Sequence, residues 1–299
     1  MSDSRELMRT LIQAGAHYGH KASRWFPKMA PYIWGQKNNI HLIDVSITAR
    51  QLERAGRFLE EVASQGKTIL WVGTKKPAQD IIRSTAARLN MPCVVHRWIG
   101  GTLSNFGQVK KSVTKLLHFT DVIARAEKFP LYTKKELNVL QKSAARLDKN
   151  VGLIRNLSWP IGALVLIDVS KERSALKEAV QMGNIPVVAL VDTNSDPSMV
   201  DYVIPGNDDA PRAIQVIVDE LARAVERGLA TAAARPTNEQ GQHENEERPD
   251  LALLQQEEED AQARGQKTDG RRRRPEGQSE TARVARPAGR RPITSRGAK

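Results

Sequence analysis

The stretch that decides the fold is Thr68-Ile-Leu-Trp-Val-Gly-Thr-Lys-Lys76, an apolar run that ends at a glycine and two lysines. Its first five residues are apolar or β-branched, which predicts a short strand buried on both faces. Gly73 predicts a tight turn, and residues 77–89 continue with the periodicity of a helix. A buried strand followed at once by a helix is the unit from which parallel α/β sheets are built.

The same alternation extends in both directions and fills residues 1–104 and 150–235. We predict helices over residues 5–14, 46–63, 77–89, 171–182 and 209–226. We predict strands over residues 32–34, 40–43, 68–72, 94–95, 163–167, 186–191 and 202–204. Because crossovers between parallel strands are right-handed, this pattern indicates an α/β fold with a doubly wound sheet and helices on both faces.

Residues 105–149 interrupt the alternation, since they contain no strand signal. Apolar residues repeat in two heptad seams, one beginning at Val109 and one at Leu137, with Pro130 between them. Such narrow seams are typical of a coiled coil, so we predict an inserted, projecting α-helical hairpin. Ten basic and four acidic residues over 109–149 give this hairpin a charge of +6.

Residues 236–299 have the composition of a disordered, charged tail. Nine acids against Arg248 occupy 236–260, and twelve bases against three acids occupy 261–299. The tail is therefore nearly neutral, and +11 of the chain's +12 net charge lies in residues 1–235. The sequence leaves open whether the tail is a solvated extension or an RNA-attracting arm whose strongest element is Arg271 to Arg274.

Composition excludes several classes of protein. The single cysteine, Cys93, excludes an internal disulfide and a cysteine-rich zinc module. No apolar run reaches 18 residues, and the start MSDSRELMRTLIQ lacks the apolar stretch of a secretory signal. We therefore expect a cytoplasmic protein that does not act at a membrane, and the basic balance predicts a nucleic acid as partner.

A doubly wound sheet also suits a nucleotide-binding enzyme, because ligands lie at the carboxyl ends of its strands. No G-x-G-x-x-G follows a strand, and Val72–Lys76 lacks the spacing of a phosphate-binding P-loop. We therefore predict no catalytic residues and no cofactor. A small-ligand or nucleotide-binding α/β protein remains the alternative function.

Histidines and acids are the other candidate ligands. His17 and His20, together with acids that include Asp192 and Asp208, could bind a metal if the fold brings them together. Histidines beside aromatic residues are more often packed or hydrogen-bonded to the backbone. We therefore predict no metal site, and the sequence does not decide the question for this region.

Basic residues interleaved with aromatic residues are the strongest chemical signal, since cations bind phosphates and exposed rings stack on bases. We predict RNA contacts at Lys21, Arg24, Trp25, Lys28, Lys75, Lys76, Arg97, Lys110, Lys111 and Lys115. For Trp25, Trp34 and Trp98 the sequence favours the simpler reading that they fill the apolar ends of the domain.

Six motifs follow one another in the order AGAHYGH (14–20), WFPKM (25–29), VGTKK (72–76), HRWIGGTLSN (96–105), VDTNSDP (191–197) and IPGNDDA (204–210). Over residues 5–230 the chain resembles the bacterial family of the second protein of the small ribosomal subunit. The resemblance implies a flavodoxin-like sheet with an inserted coiled-coil hairpin, and a non-enzymatic role in a ribonucleoprotein that carries out translation. It also implies contacts with ribosomal RNA and neighbouring ribosomal proteins, among them the large messenger-binding protein.

Overall fold

The computed structural model describes residues 2–126, 133–183 and 185–234, with side chains described from Arg5 onward. The seven α-helices of this part are α1 (Ser2–Gln13), α2 (Val45–Ser64), α3 (Lys76–Leu89), α4 (Phe106–Ala126), α5 (Lys134–Val151), α6 (Arg173–Met182) and α7 (Pro211–Ala233). Its eight strands are β1 (Tyr18–Lys21), β2 (Ile33–Lys37), β3 (Ile40–Ile43), β4 (Thr68–Val72), β5 (Cys93–Val94), β6 (Ile161–Ile167), β7 (Val187–Val191) and β8 (Tyr202–Pro205). The predicted tail, residues 236–299, lies outside the described residues.

Five strands form one parallel sheet in the order β5-β4-β6-β7-β8. Numbered within this sheet, the order is 2-1-3-4-5, the flavodoxin-like arrangement of a doubly wound fold. The predicted α/β class and parallel sheet are confirmed. In this order the connections reverse direction between β4 and β6, so the crevice at that point is where such folds bind ligands.

Both faces of the sheet are covered, which explains its continuous apolar strands. Along β4, Ile69 and Trp71 face a core formed with α1, α2, α3 and α7. Leu70 and Val72 face a second core, to which α6 and the base of α4 contribute. The period-two alternation therefore separates two apolar layers, as the geometry of a strand requires.

Local signals explain where the helices begin and end. The Asp44 carboxylate caps α2 by accepting a hydrogen bond from the Ser46 backbone N–H at 2.8 Å. Helix α5 begins with a capping box in which the side chains of Thr133 and Glu136 bind each other's backbone N–H groups. Asn90 follows the last residue of α3 and Gly183 that of α6, both in the left-handed conformation that stops a helix.

A second, smaller sheet differs from the expectation for this region. Strands β2 and β3 were predicted, but β1 pairs with β3 to make a three-stranded antiparallel sheet in the order β1-β3-β2. The sequence of β1, Tyr-Gly-His-Lys, has the small and polar residues of a loop, so no local pattern predicts a strand there. Pairing with β3 is what makes these residues a strand.

Helices α4 and α5 fill the region predicted to be a helical hairpin, and they pack against each other. Val109 and Leu116 of α4 and Val151 of α5 are buried in the second core, so the base of this helix pair belongs to the body. Beyond that base, Thr120 of α4 and most of the side chains of α5 lie at the surface. Projection as a coiled coil stays a prediction, and residues 127–132 between the two helices lie outside the described part.

Among the described helices, none combines the length and the apolar character that crossing a bilayer requires.

Candidate nucleic-acid interface

The crevice at the carboxyl ends of β4 and β6 is filled by the protein's own charged groups. The Lys75 Nζ lies 2.6 Å from Asp208 Oδ1, 2.6 Å from Asp209 Oδ1 and 3.5 Å from Asp168 Oδ2. Its side chain is only 18% exposed, and that of Asp208 is fully buried. Lys75 was predicted to contact RNA, but here its ammonium group already has three carboxylate partners, so we leave it out of the proposed interface.

The charged groups in this crevice shift one another's pKa values. Burial lowers the pKa of Lys75, but its hydrogen bonds to Asp208 and Asp209 and their negative charges outweigh burial, so the pKa is raised overall. Burial, followed by the charges of Asp192 and Asp168, raises the pKa of Asp208 to about 7 although Lys75 opposes the shift. The lysine is therefore held in the charged form as the counter-ion of buried acids.

A second buried acid closes the same crevice from the side of α6. The Glu172 carboxylate accepts hydrogen bonds from the backbone N–H of Thr74, at 2.9 Å, and from the Thr74 hydroxyl. Lys171 Nζ donates to the Thr74 carbonyl oxygen at 2.9 Å. Burial raises the pKa of Glu172, while the two bonds from Thr74 oppose the shift.

His20 joins the acids at the neighbouring strand ends. Its Nδ1 lies 3.0 Å from Asp192 Oδ2, and its Nε2 lies 3.2 Å from Asp209 Oδ2. The hydrogen bond with Asp192 raises the pKa of His20 against the effect of burial. Within the described residues, His20, Asp208 and Asp209 each offer one ligand atom, all within 4.8 Å of one another, so these three could hold a divalent cation.

His17 does not join this group, although the sequence places it three residues away. Its ring stacks at a tilt on Tyr18, with 4.1 Å between ring centroids, and burial lowers its pKa. Of the two histidines, the fold therefore brings only His20 to the acids. The absence of a metal from this position stays a prediction.

The loop that carries Arg24, Trp25 and Lys28 is fastened by the segment after β7. Thr193 accepts hydrogen bonds from the His20 backbone N–H through its hydroxyl, at 2.8 Å, and from the Phe26 N–H through its carbonyl, at 2.7 Å. A Cβ on Gly19 would lie 2.6 Å from Thr193 Cγ2, so the close approach requires glycine there. Three of the motifs quoted above, at 14–20, 25–29 and 191–197, thus meet in space to present one basic loop.

The cations of this loop differ in how free they are. Lys28 Nζ donates to the Ser198 hydroxyl at 2.6 Å and lies 3.5 Å from Asp196 Oδ2, although its side chain is 58% exposed. Lys21 and Arg24 are exposed, and within the described part of the chain neither forms an ion pair. Lys28 is therefore partly engaged and the other two are available.

The three tryptophans have different environments. Trp98 is buried and donates its Nε1–H to Glu178 Oε1 at 3.1 Å, so the expectation that it fills an apolar end is confirmed. The same expectation is wrong for Trp34, which is 75% exposed on β2. Trp25 lies between these cases, 38% exposed with its ring centroid 5.2 Å from that of His41.

Glu178 on α6 organises the loop that leads into α4. Besides Trp98, its carboxylate accepts hydrogen bonds from the backbone N–H groups of Gly101, at 2.8 Å, and Leu103, at 3.1 Å. Sequence reasoning missed this residue, because an acid on the face of an amphipathic helix gives no sign of a distant partner. Its contacts fix where Arg97 and the first turn of α4 stand relative to the sheet.

The remaining predicted cations lie along α3, the Arg97 loop and α4. Lys76, Arg97, Lys111 and Lys115 are exposed and Lys110 is half-buried, and none of them pairs with an acid among the described residues. Lys115 Nζ lies 5.5 Å from the centroid of the Phe119 ring on the next turn. A further set of exposed bases lies on α5, and the sequence analysis counted them in the charge of the hairpin without naming them as RNA contacts: Lys142, Arg146 and Lys149.

Comparison with known proteins bears directly on this arrangement. The profile of the Ribosomal protein S2 family matches residues 11–228. The small ribosomal subunit protein uS2 of Phocaeicola vulgatus is 41% identical over 242 residues, which cover 81% of this chain and 86% of that protein. The matched region contains the whole parallel sheet, the small sheet and the two inserted helices.

Proposed function

Because the chain belongs to the ribosomal protein S2 family, we propose that its exposed, unpaired cations bind the phosphate backbone of small-subunit ribosomal RNA. Members of this family are structural, non-enzymatic components of the small ribosomal subunit. The chain serves translation in that role. The bacterial ribosome works in the cytoplasm, in line with the expected location.

The observation that carries the proposal is the division of cations into two sets. Lys75 is enclosed by acids, whereas Lys76, the next residue along the chain, is exposed and pairs with no acid among the described residues. Lys21, Arg24, Arg97, Lys111 and Lys115 share this condition. When unpaired surface cations meet phosphates, they displace the counter-ions condensed on the RNA. This release is the main source of affinity for RNA.

The alternative, a small-ligand or nucleotide-binding protein, has less support. The crevice at the strand ends is where such a ligand would bind. It is occupied by Lys75 with its partners Asp168 and Asp208, and by Glu172, which is bound to Thr74. A phosphate entering there would face the three buried carboxylates of Asp168, Asp208 and Glu172. That charge favours a cation over a nucleotide.

The small sheet supports a further proposal about partners. Tyr18 and Trp34 are 51% and 75% exposed on β1 and β2, and they are apolar enough to seat against a protein surface. We propose that this sheet contacts a neighbouring small-subunit protein, the large messenger-binding protein that the sequence resemblance implies. Loss of that protein's co-sedimentation with a Trp34→Ser variant would support the contact.

The test of RNA binding is a salt series with a small-subunit rRNA fragment, read by fluorescence anisotropy. If about six cations meet phosphates, log affinity falls against log salt with a slope of roughly −4 to −5. Changing Lys110, Lys111 and Lys115 to Ala is expected to reduce the magnitude of that slope by about two. Truncation after Arg235 removes a nearly neutral segment and is expected to change it by about one or less.

Matched substitutions keep this test specific. Arg57, Arg125 and Arg223 also lie on exposed helix faces, but each is paired with an acid three or four residues earlier. Replacing these three by Ala removes the same charge and is expected to leave the slope nearly unchanged. Equal losses from both triple variants, or a slope that disappears with the tail alone, would contradict the proposed interface.

A further inference from the structure

Arg83 and His96 meet beside the loop that leads into α4, and the positive charge of Lys149 acts on His96 from a third element. Arg83 on α3 places its Nη2 3.4 Å from Nε2 of His96, which follows β5. Lys149 stands in the last turn of α5, and the turn Gly152–Ile154 that follows α5 contacts β5. We refer to Arg83, His96 and Lys149 as the His96 cluster.

The acids near this cluster do not neutralise it. Asp80 lies 3.2 Å from the Nη1 of Arg83 and is 93% exposed, so it is a solvated partner for one edge of that guanidinium group. Asp148, next to Lys149, is engaged by Arg155. Among the described residues no carboxylate forms an ion pair with His96 or Lys149, and the exposed Arg97 adds a further positive charge next to His96.

The pKa of His96 reflects the same excess of positive charge. Burial, and then the charges of Lys149 and Arg83, lower its pKa. Cys93, on the strand that precedes His96, does not compensate, because burial raises the pKa of its thiol to about 11 although Arg83 opposes the shift. In the free protein the charges of Arg83 and Lys149 therefore favour the neutral imidazole of His96 over the imidazolium.

We propose that the His96 cluster binds one phosphate group of the ribosomal RNA backbone, an assignment that rests on the proposed function and locates one of its contacts. A guanidinium fork, an imidazole N–H and an ammonium group arriving from different elements are the donors that a tetrahedral oxyanion accepts. The cluster joins α3, β5 and α5, so the bound phosphate tethers RNA to the body and to the base of the helical pair together. A free phosphate ion offers the same chemistry, and the experiments below separate the two sources.

Proton uptake follows from this assignment. A phosphate beside His96 favours the imidazolium form, so the pKa of His96 is higher in the complex than in the free protein. RNA affinity therefore rises as the pH falls through the pKa of the complex, and the gain is complete below the lowered pKa of the free protein. His96→Gln removes this dependence, because an amide does not titrate.

The first experiment measures rRNA affinity and its salt dependence for full-length variants. Arg83→Gln with Lys149→Gln is expected to weaken binding about tenfold or more near 0.1 M salt and to reduce the slope by about one to two. The matched control is Arg223→Gln with Lys177→Gln. Arg223 also pairs with an acid three residues earlier, at 3.0 Å, but has no hydrogen bond to a histidine among the described residues, and Lys177 is an exposed lysine on α6. The control is expected to bind as the unchanged protein does.

The second experiment follows the His96 imidazole by NMR in inorganic phosphate and in chloride at equal ionic strength, and then with the rRNA fragment. RNA is expected to raise the pKa of His96, and Arg83→Gln with Lys149→Gln is expected to abolish that rise. A His96 pKa that RNA leaves unchanged would overturn the assignment whether or not the variants fold normally. If inorganic phosphate raises the pKa of His96 and the rRNA fragment does not, the cluster is a site for the free ion, and the RNA assignment is overturned.

Failure of this inference is distinguishable from failure of the proposed function. If the unchanged protein binds rRNA with the expected salt slope and the cluster variants match it, the RNA interface stands without the His96 cluster. If the unchanged protein shows no saturable, salt-dependent binding, the proposed function fails and this contact fails with it.

Discussion

Lys75 and Lys76 are adjacent in the sequence and stand at the boundary between two regions with opposite electrostatic roles. Lys75 points into the crevice at the strand ends, where Asp168, Asp208 and Asp209 surround its ammonium group. Lys76 begins α3 at the surface and has no acid partner among the described residues. The difference teaches that a basic residue contributes to an RNA interface only when the fold leaves its charge uncompensated.

The same contrast separates the acids. Asp208 and Glu172 are buried in the crevice with their partners, whereas Asp80 and Asp121 sit on helix faces beside single arginines. The buried group is a mutually dependent network, and the surface pairs are screened by solvent. Changes in the buried network are therefore expected to lower stability, whereas loss of a single surface pair is expected to cost little.

The largest effect is expected from Lys75→Met. The substitution leaves the fully buried Asp208 and its neighbours without their counter-ion, which typically costs about 3 to 5 kcal/mol. Lys76→Met, at the adjacent exposed position, is expected to change the free energy of unfolding by about 0.5 kcal/mol or less. Urea unfolding followed by circular dichroism measures both.

Adding Asp208→Asn to Lys75→Met sharpens the same comparison. If the cost comes from an uncompensated carboxylate, the double variant recovers part of the lost stability, and the two changes are not additive. Equal destabilisation by Lys75→Met and Lys76→Met would show that the crevice is not a coupled network.

A smaller effect is expected from Glu178→Gln, which weakens the link between α6 and the loop that carries Arg97. The carboxylate accepts three hydrogen bonds, and an amide retains only one acceptor oxygen, so we expect a loss of about 1 to 2 kcal/mol in unfolding free energy. Glu220→Gln, which breaks only a surface pair with Arg223, serves as the control. Indistinguishable unfolding midpoints for the two variants would contradict the role of Glu178.

The smallest effect is expected from Glu172→Gln, and it depends on pH. Because burial raises the pKa of Glu172 above the value of the unfolded chain, its contribution to stability is fully present below the unfolded pKa and is lost as pH rises through the folded pKa. The amide does not titrate and still accepts a bond from Thr74. The stability of the variant relative to the unchanged protein is therefore expected to rise with pH above the unfolded pKa.

Unfolding curves across a pH series, from below the unfolded pKa of a glutamate to neutral pH, check this prediction. Glu136→Gln is the opposite control, since hydrogen bonds from Thr133 lower the pKa of that carboxylate in the capping box of α5. Parallel pH profiles for the two variants would contradict the assignment of burial as the cause at Glu172.

The sequence by itself predicted the parallel sheet closely. Strand β4 was predicted with its observed bounds, because a buried strand between two helices is a local apolar run with clear ends. The predicted helix over 209–226 instead continues to Ala233, since its last residues, rich in alanine, lack a strong stop signal. Basic residues such as Arg97 and Lys111 were also recognisable, because the charge of a side chain follows directly from its residue type.

Only the tertiary structure decided which of those charges face solvent. Strand β1 exists because β3 pairs with it. The charge of Lys75 is compensated because Asp168 and Asp208, which follow it by 93 and 133 positions in the sequence, lie beside it in the fold. Arg83, His96 and Lys149 come from three elements, and Glu178 reaches a loop more than seventy residues earlier. Periodicity reports how each segment buries its own apolar face, but pairing between distant charges depends on chain crossovers that no local pattern encodes.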